Sequence, residues 1–161
     1  MTTQGQLAPS RDAQSVGRYF LDRIGGGQLD AAFACLADDV VMEMPFAPPG
    51  SPTRLEGADA LRSLYTGVVG AAQSIELPVS TTWPFADPEW ALVEYSGRIV
   101  QPGGQEYTNV YHGLFRVVDG KIKVFRELYD TYRFAEQVPV EARRAMFPTT
   151  DSTTDSTTDE G

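Results

Sequence analysis

The chain has 161 residues, 42% of them hydrophobic and 11% aromatic, with a formal net charge of −9. That length suits one domain with one substantial core. The acidic balance runs through the body as well as the tail acids Asp151, Asp155, Asp159 and Glu160, which argues against nucleic acid or an anionic membrane surface as a partner. Cys35 and His112 are each the only residue of their kind, so no intramolecular disulfide and no zinc site is expected, and neither a metal nor a cofactor. No apolar run approaches the roughly 18 residues that span a bilayer, and the polar start is not a secretory signal, so the expected location is cytoplasmic.

Residues 1–9 read as a flexible lead-in and 10–147 as the folded domain. Ser10 is the expected cap of a first helix running to about Ile24, with Val16, Tyr19, Phe20 and Leu21 on its apolar face. Gly25 to Gly27 stop that helix; they follow a helix and not a strand, so they are no phosphate loop. A short second helix is predicted from Leu29 to Ala37 and a strand from Val40 to Met44. The Pro-rich segment after Pro45 is a loop. A third helix spans about Ala58 to Gly70.

From Ser74 the periodicity changes to that of strands. They are predicted at 74–83, 90–100, 107–118 and 121–134, with turns at Ala86-Asp87-Pro88 and Pro102-Gly103-Gly104. A last helical turn falls at 141–147. Residues 148–161 repeat Asp-Ser-Thr-Thr and hold no bulky apolar side chain, which predicts a disordered acidic tail. Three helices followed by an antiparallel meander define an α+β domain. A curved sheet wrapped around the three N-terminal helices makes a cone-shaped α+β barrel, open at one end, where small molecules bind.

Asp119-Gly120 between alternating apolar runs is a strong hairpin signal. A two-residue loop there sets Val118 against Lys121 and, further out, His112 against Glu127. Opposed residues share a face, so the lone histidine is predicted to touch a carboxylate, a pair able to move protons near neutral pH. If Pro102-Gly103-Gly104 is a three-residue loop, Glu94 also faces His112. Tyr107, Asn109 and Tyr111 have the opposite parity to His112, so all of them line the cavity together only if a bulge intervenes.

The segments LADDVVMEMPFAPPGSPTRLEGADALRSLY and YTNVYHGLFRVVDGKIKVFRELYD resemble the SnoaL-like members of the nuclear transport factor 2-like superfamily. That superfamily includes ketosteroid isomerase, SnoaL-type cyclases and PhzB. The resemblance covers about Ser15 to Phe134. It implies a cone-shaped fold, a homodimer and cofactor-free acid–base chemistry: isomerisation, cyclisation, epoxide opening or dehydration. It looks especially like the PhzB type, in which the counterparts of Glu127 and Tyr107 face the ligand. In SnoaL-type cyclases a histidine and a carboxylate on paired strands do the acid–base work, places that His112 and Glu127 fit. Tyr19 resembles the helix-one tyrosine of ketosteroid isomerase, but Met44 stands where that enzyme has its base.

The expected reading is therefore a cofactor-independent enzyme acting on a small hydrophobic biosynthetic intermediate, such as a polyketide. Glu127 is the acid or base, His112 its orienter and second proton carrier, and Tyr19 or Tyr107 polarises a substrate oxygen. Met44, Trp83, Phe125 and Tyr129 are expected to wall the site and exclude water. The alternatives are a half-buried His112 bonded to a backbone carbonyl, Glu127 paired with Arg126 or Lys123 at the rim, and a non-catalytic binding or accessory protein of the same fold.

Overall fold

Asp12 opens the first helix of the computed structural model, which describes residues 10–147. Its side chain accepts from Ser15 N at 2.9 Å, which satisfies one of the free donors at the helix start. The cap is thus Asp12 and not Ser10. The expectations for residues 1–9 and 148–161 lie outside the described residues.

Helix α1 (Ala13–Gly25) turns Val16, Phe20, Leu21 and Ile24 inward, and Gly27 leaves it at φ +69°. Helix α2 (Leu29–Phe33) ends four residues short of the expected Ala37, because the chain there already enters strand β1 (Leu36–Glu43). Cys35 O accepts from Ile122 N at 2.8 Å, so backbone pairing across the sheet replaces the last helical turn. A short strand β2 (Arg54–Glu56), not anticipated, pairs antiparallel with β1. Helix α3 follows at Ala58–Ala71.

The expected strand at 74–83 is split into β3 (Ser74–Glu76) and β4 (Val79–Pro84). Pro78 between them has no N–H for a ladder. Strands β5 (Trp90–Val100) and β6 (Glu106–Val118) run close to expectation, and β7 (Lys121–Tyr129) stops short of Phe134. Asp130 then caps α4 (Thr131–Gln137) by accepting from Arg133 N at 2.9 Å, and α5 (Val140–Met146) closes the described chain.

The seven strands form one sheet in the order β2-β1-β7-β6-β5-β3, with β4 also on β5. Among the described residues, only the β1–β7 pair is parallel. The sheet is curved, and α1 packs on β4, β5, β6 and β7 while α3 packs on β1 and β2. Phe20 of α1 meets Phe115 and Phe125 edge-on at 6.2 and 5.9 Å, and those two rings stack at 4.4 Å. Gly17 allows the close approach, since a Cβ there would lie 2.9 Å from Phe115. This aromatic wedge fills one part of the concave face and leaves the rest to a cavity. The fold is the expected α+β cone.

Candidate active site

The site depends on one extra residue in β7. Val118 faces Lys121 and Val117 faces Ile122, as a two-residue hairpin requires, but Arg116 faces Val124. Lys123 is left out of the β6–β7 ladder. Such a bulge reverses the facing of everything beyond it. Ile122 and Phe125 are therefore both fully buried, although an unbroken alternation would send them to opposite faces. Without the bulge, Val124 would stand opposite Phe115 in the place of Phe125, and Arg126 opposite Gly113 in the place of Glu127. Lys123 Nζ lies 2.6 Å from Asp39 on β1, where that strand is irregular too.

The bulge corrects the expected His112–Glu127 contact. Glu127 stands opposite Gly113, and His112 opposite Leu128. His112 is on the convex face with its side chain 46% exposed, its Nε2 3.4 Å from Glu94 Oε1. The Glu94–His112 register agrees with the three-residue loop reading. Glu127 is on the concave face together with Phe125 and Tyr129. One bulge thus removes His112 from the site and admits Tyr107, Asn109 and Tyr111.

Glu127 borders a partly open cavity of about 120 Å³. Met42, Met44, Leu64, Val68 and Phe134 supply apolar wall, and Met146 at the end of α5 and the following Phe147 add to it. Of the residues expected to contact substrate, Met44, Tyr107 and Tyr129 line this cavity. Phe125 lies beneath it, fully buried in its stack on Phe115. Trp83 does not reach it: on β4, whose only strand partner among the described residues is β5, the residue is 55% exposed. Tyr19 is also outside, part-buried on α1 with the Arg23 guanidinium 4.7 Å above its ring.

Tyr95 Oη donates to Glu127 Oε1. Tyr95 is on β5 and Glu127 on β7, so the phenol crosses β6 to make this bond. Gly113 provides the passage. A Cβ there would lie 2.9 Å from Phe115 and Phe125 and 3.3 Å from Tyr95. Burial lifts the Glu127 carboxyl from 4.5 to about 7, against the lowering effect of the Tyr95 bond. The phenols of Tyr65, Tyr95 and Tyr111 are pushed well above their ordinary value, chiefly by burial and also by the Glu127 charge. Among the described residues, Glu127 is the only ionisable acid or base other than tyrosine in the cavity wall.

A second polar group lies beside the first. Tyr111 stacks on Tyr95 at 4.9 Å, and Tyr111 Oη donates to Tyr107 Oη at 3.1 Å. Asn109, 4% exposed, donates to Tyr107 Oη at 2.7 Å and to Asp130 O at 3.0 Å.

Tyr95 and Tyr65 were not singled out from the sequence. The available signal was Gly113, since a glycine inside a strand marks close approach by another group. Among the described residues, no group of three or more His, Cys, Asp or Glu could hold a metal ion. Among the same residues, no helix is long and apolar enough to cross a membrane.

A curved sheet wrapped around helices, with a glutamate in the wall of its cavity, is a nuclear transport factor 2-like cone. Its solved likenesses include an LEH-like epoxide hydrolase from M. tuberculosis, with a TM-score of 0.65, 22% identity and coverage of 77% of this chain and 82% of that one. A phenazine biosynthesis-related protein from Pseudomonas aeruginosa gives a TM-score of 0.60, 22% identity and coverage of 77% and 85%. A candidate polyketide cyclase from Pseudomonas putida gives 0.62, 17% identity and coverage of 78% and 96%. These likenesses concern the fold. More particularly, the chain belongs to the SnoaL-like domain family, whose model matches residues 16–125. In sequence it is 27% identical over 97 residues to an uncharacterised PhzA/B-like protein of Pseudomonas aeruginosa, spanning 60% of this chain and 68% of that one. It is 25% identical over 95 residues to the uncharacterised protein YesE of Bacillus subtilis, spanning 58% of this chain and 64% of that one.

Proposed function

We propose that the protein is a cofactor-independent acid–base enzyme. Its substrate is a small, largely hydrophobic biosynthetic intermediate, and its reaction is isomerisation, cyclisation or epoxide opening. The observation that carries this reading is Glu127. A lone carboxyl on the wall of an apolar cavity, shifted to about 7, is half-ionised near neutral pH and can both take and return a proton. Tyr95 holds it in one orientation through its hydroxyl proton. His112 has no part in the step, being on the other face of the sheet. The surrounding aliphatic and aromatic wall excludes water and strengthens the electrostatics of proton transfer.

A direct test uses a panel of ketones and epoxides in D₂O, read by NMR for exchange of protons next to the carbonyl and for ring opening. Turnover of one panel member by the wild type, lost in Glu127→Gln with the fold intact, is the expected result. Equal turnover by the variant would remove Glu127 from the chemistry.

A second reading, a non-catalytic binding or accessory protein, is favoured by one feature: no second titrating acid or base stands beside Glu127. Tight binding of panel members without exchange or ring opening would select it. In either reading the chain acts as a homodimer through the convex sheet face, where Val110 is 60% exposed and Leu128 flanks His112. Sedimentation would give twice the chain mass, and Val110→Asp would halve it.

A further inference from the structure

Asn109 is a buried amide whose four bonds fix its orientation. Oδ1 accepts from Val110 N at 2.8 Å and from Asp130 N at 3.2 Å. Both partners are backbone N–H groups that can only donate, so the oxygen must face them. Nδ2 is then turned to Asp130 O at 3.0 Å and to Tyr107 Oη at 2.7 Å. Asp130 O can only accept and uses one amide proton. The other goes to Tyr107, whose oxygen is thereby an acceptor. Tyr111 Oη gives that same oxygen a second proton, at 3.1 Å. With both lone pairs occupied, Tyr107 retains its own hydroxyl proton. No acceptor among the described residues takes it, and Tyr107 lines the cavity shared with Glu127.

We propose that Asn109 is a positioning residue that makes Tyr107 a hydrogen-bond donor to the ligand, so the cavity selects an uncharged molecule carrying an acceptor oxygen. The oxygen is that of a carbonyl, an epoxide or an ether. A carboxylate or phosphate ligand is disfavoured, because the one charge available in the cavity wall is the negative charge of Glu127. Donation from Asn109 and Tyr111 into the Tyr107 oxygen polarises its O–H bond and strengthens the bond it offers. The substrate class deepens the acid–base reading and rests on the same cavity, but the donor is independent of proton transfer by Glu127.

The test compares two ligands of one shape, acetophenone and α-methylstyrene, which differ by C=O against C=CH₂. The ratio of their Kd values, acetophenone over α-methylstyrene, is measured by NMR titration of the full chain. Damage that affects both ligands equally cancels in the ratio. Tyr107→Phe is expected to raise it about 3- to 10-fold, the worth of one ordinary hydrogen bond. Tyr111→Phe is expected to leave it near the wild-type value, because Asn109 still occupies Tyr107. Asn109→Asp, which turns the donor into an acceptor and captures the Tyr107 proton, should raise the ratio as Tyr107→Phe does. The two phenylalanine variants decide the matter if the buried acid prevents folding. The ratio is a binding quantity, so loss of turnover in Glu127→Gln does not bear on the donor. An unchanged ratio in Tyr107→Phe overturns the proposal. So does an equal rise in Tyr111→Phe, which would mean the protons run outward through Tyr111 instead.

Discussion

Glu94 and Glu127 are glutamates on strands of one sheet, and each has an aromatic or imidazole neighbour across a strand. Glu94 is on the convex face, beside a half-exposed imidazole, where water solvates the charge. Glu127 is on the concave face, where its neighbour is the buried phenol of Tyr95 and burial moves its pKa to about 7. The contrast shows that position relative to the curl of the sheet makes the difference, since residue type and strand neighbours do not. A single bulged residue at position 123 decides which face receives Glu127.

The largest effect expected from this contrast is on turnover. Glu127→Gln should lower kcat by about 100- to 10,000-fold, the usual contribution of one acid–base group. Glu94→Gln and His112→Ala should leave kcat unchanged in the same assay. A matching loss in either convex-face variant would break the comparison.

The next effect is on stability. The folded pKa of Glu127 lies above the unfolded one, so the folded state binds more protons between about pH 4.5 and 7. That contribution is complete below about 4.5 and is lost as the pH rises through 7. Glu127→Gln cannot ionise and should gain on the wild type with rising pH, by roughly 3 kcal/mol at most at pH 8.5. Urea unfolding at pH 4.5 and 8.5 measures this.

Gly113→Ala should cost about 1–3 kcal/mol, because its methyl group meets Phe115, Phe125 and Tyr95 on a packed face. It should also disturb the Tyr95–Glu127 bond. Tyr95→Phe gives the smallest effect. Its hydroxyl lowers the Glu127 pKa, so its loss should raise the midpoint of the pH–rate profile by about one unit. An unmoved midpoint would mean that the phenol does not touch the carboxylate in solution.

The outline of this site was legible where local chemistry dictates geometry. Asp119 and Gly120 both take positive φ, 51° and 76°, as the two-residue turn demands, and the hairpin starts in the expected register. The longer loop at 101–105 set β5 against β6 correctly, including Glu94 against His112. Glu127 and Tyr129 share a strand face with Phe125, as alternation implies, and with Met44 they line the cavity; Tyr107, which also lines it, was named only through the resemblance to PhzB. What failed was the extrapolation of register across nine residues of β7. Ile122 and Phe125, three apart and both strongly apolar, carry the trace of the bulge, but Val124 between them masks it. Trp83 and Tyr19 were misplaced for a different reason: an aromatic side chain can cover an edge strand or a helix flank as readily as a cavity. Tyr95 reaches Glu127 over a neighbouring strand, a contact that pairing rules for adjacent strands do not contain.

The account turns on the state of one carboxyl group, which can be read without knowing any substrate. Selective ¹³C labelling of glutamate side chains, with Glu127→Gln to assign the signal, allows Glu127 Cδ to be followed by NMR through a pH titration. A midpoint near 7 is predicted. A midpoint near 4.5, the ordinary glutamate value, would place this carboxylate in water and contradict the buried acid from which the proposed function is drawn.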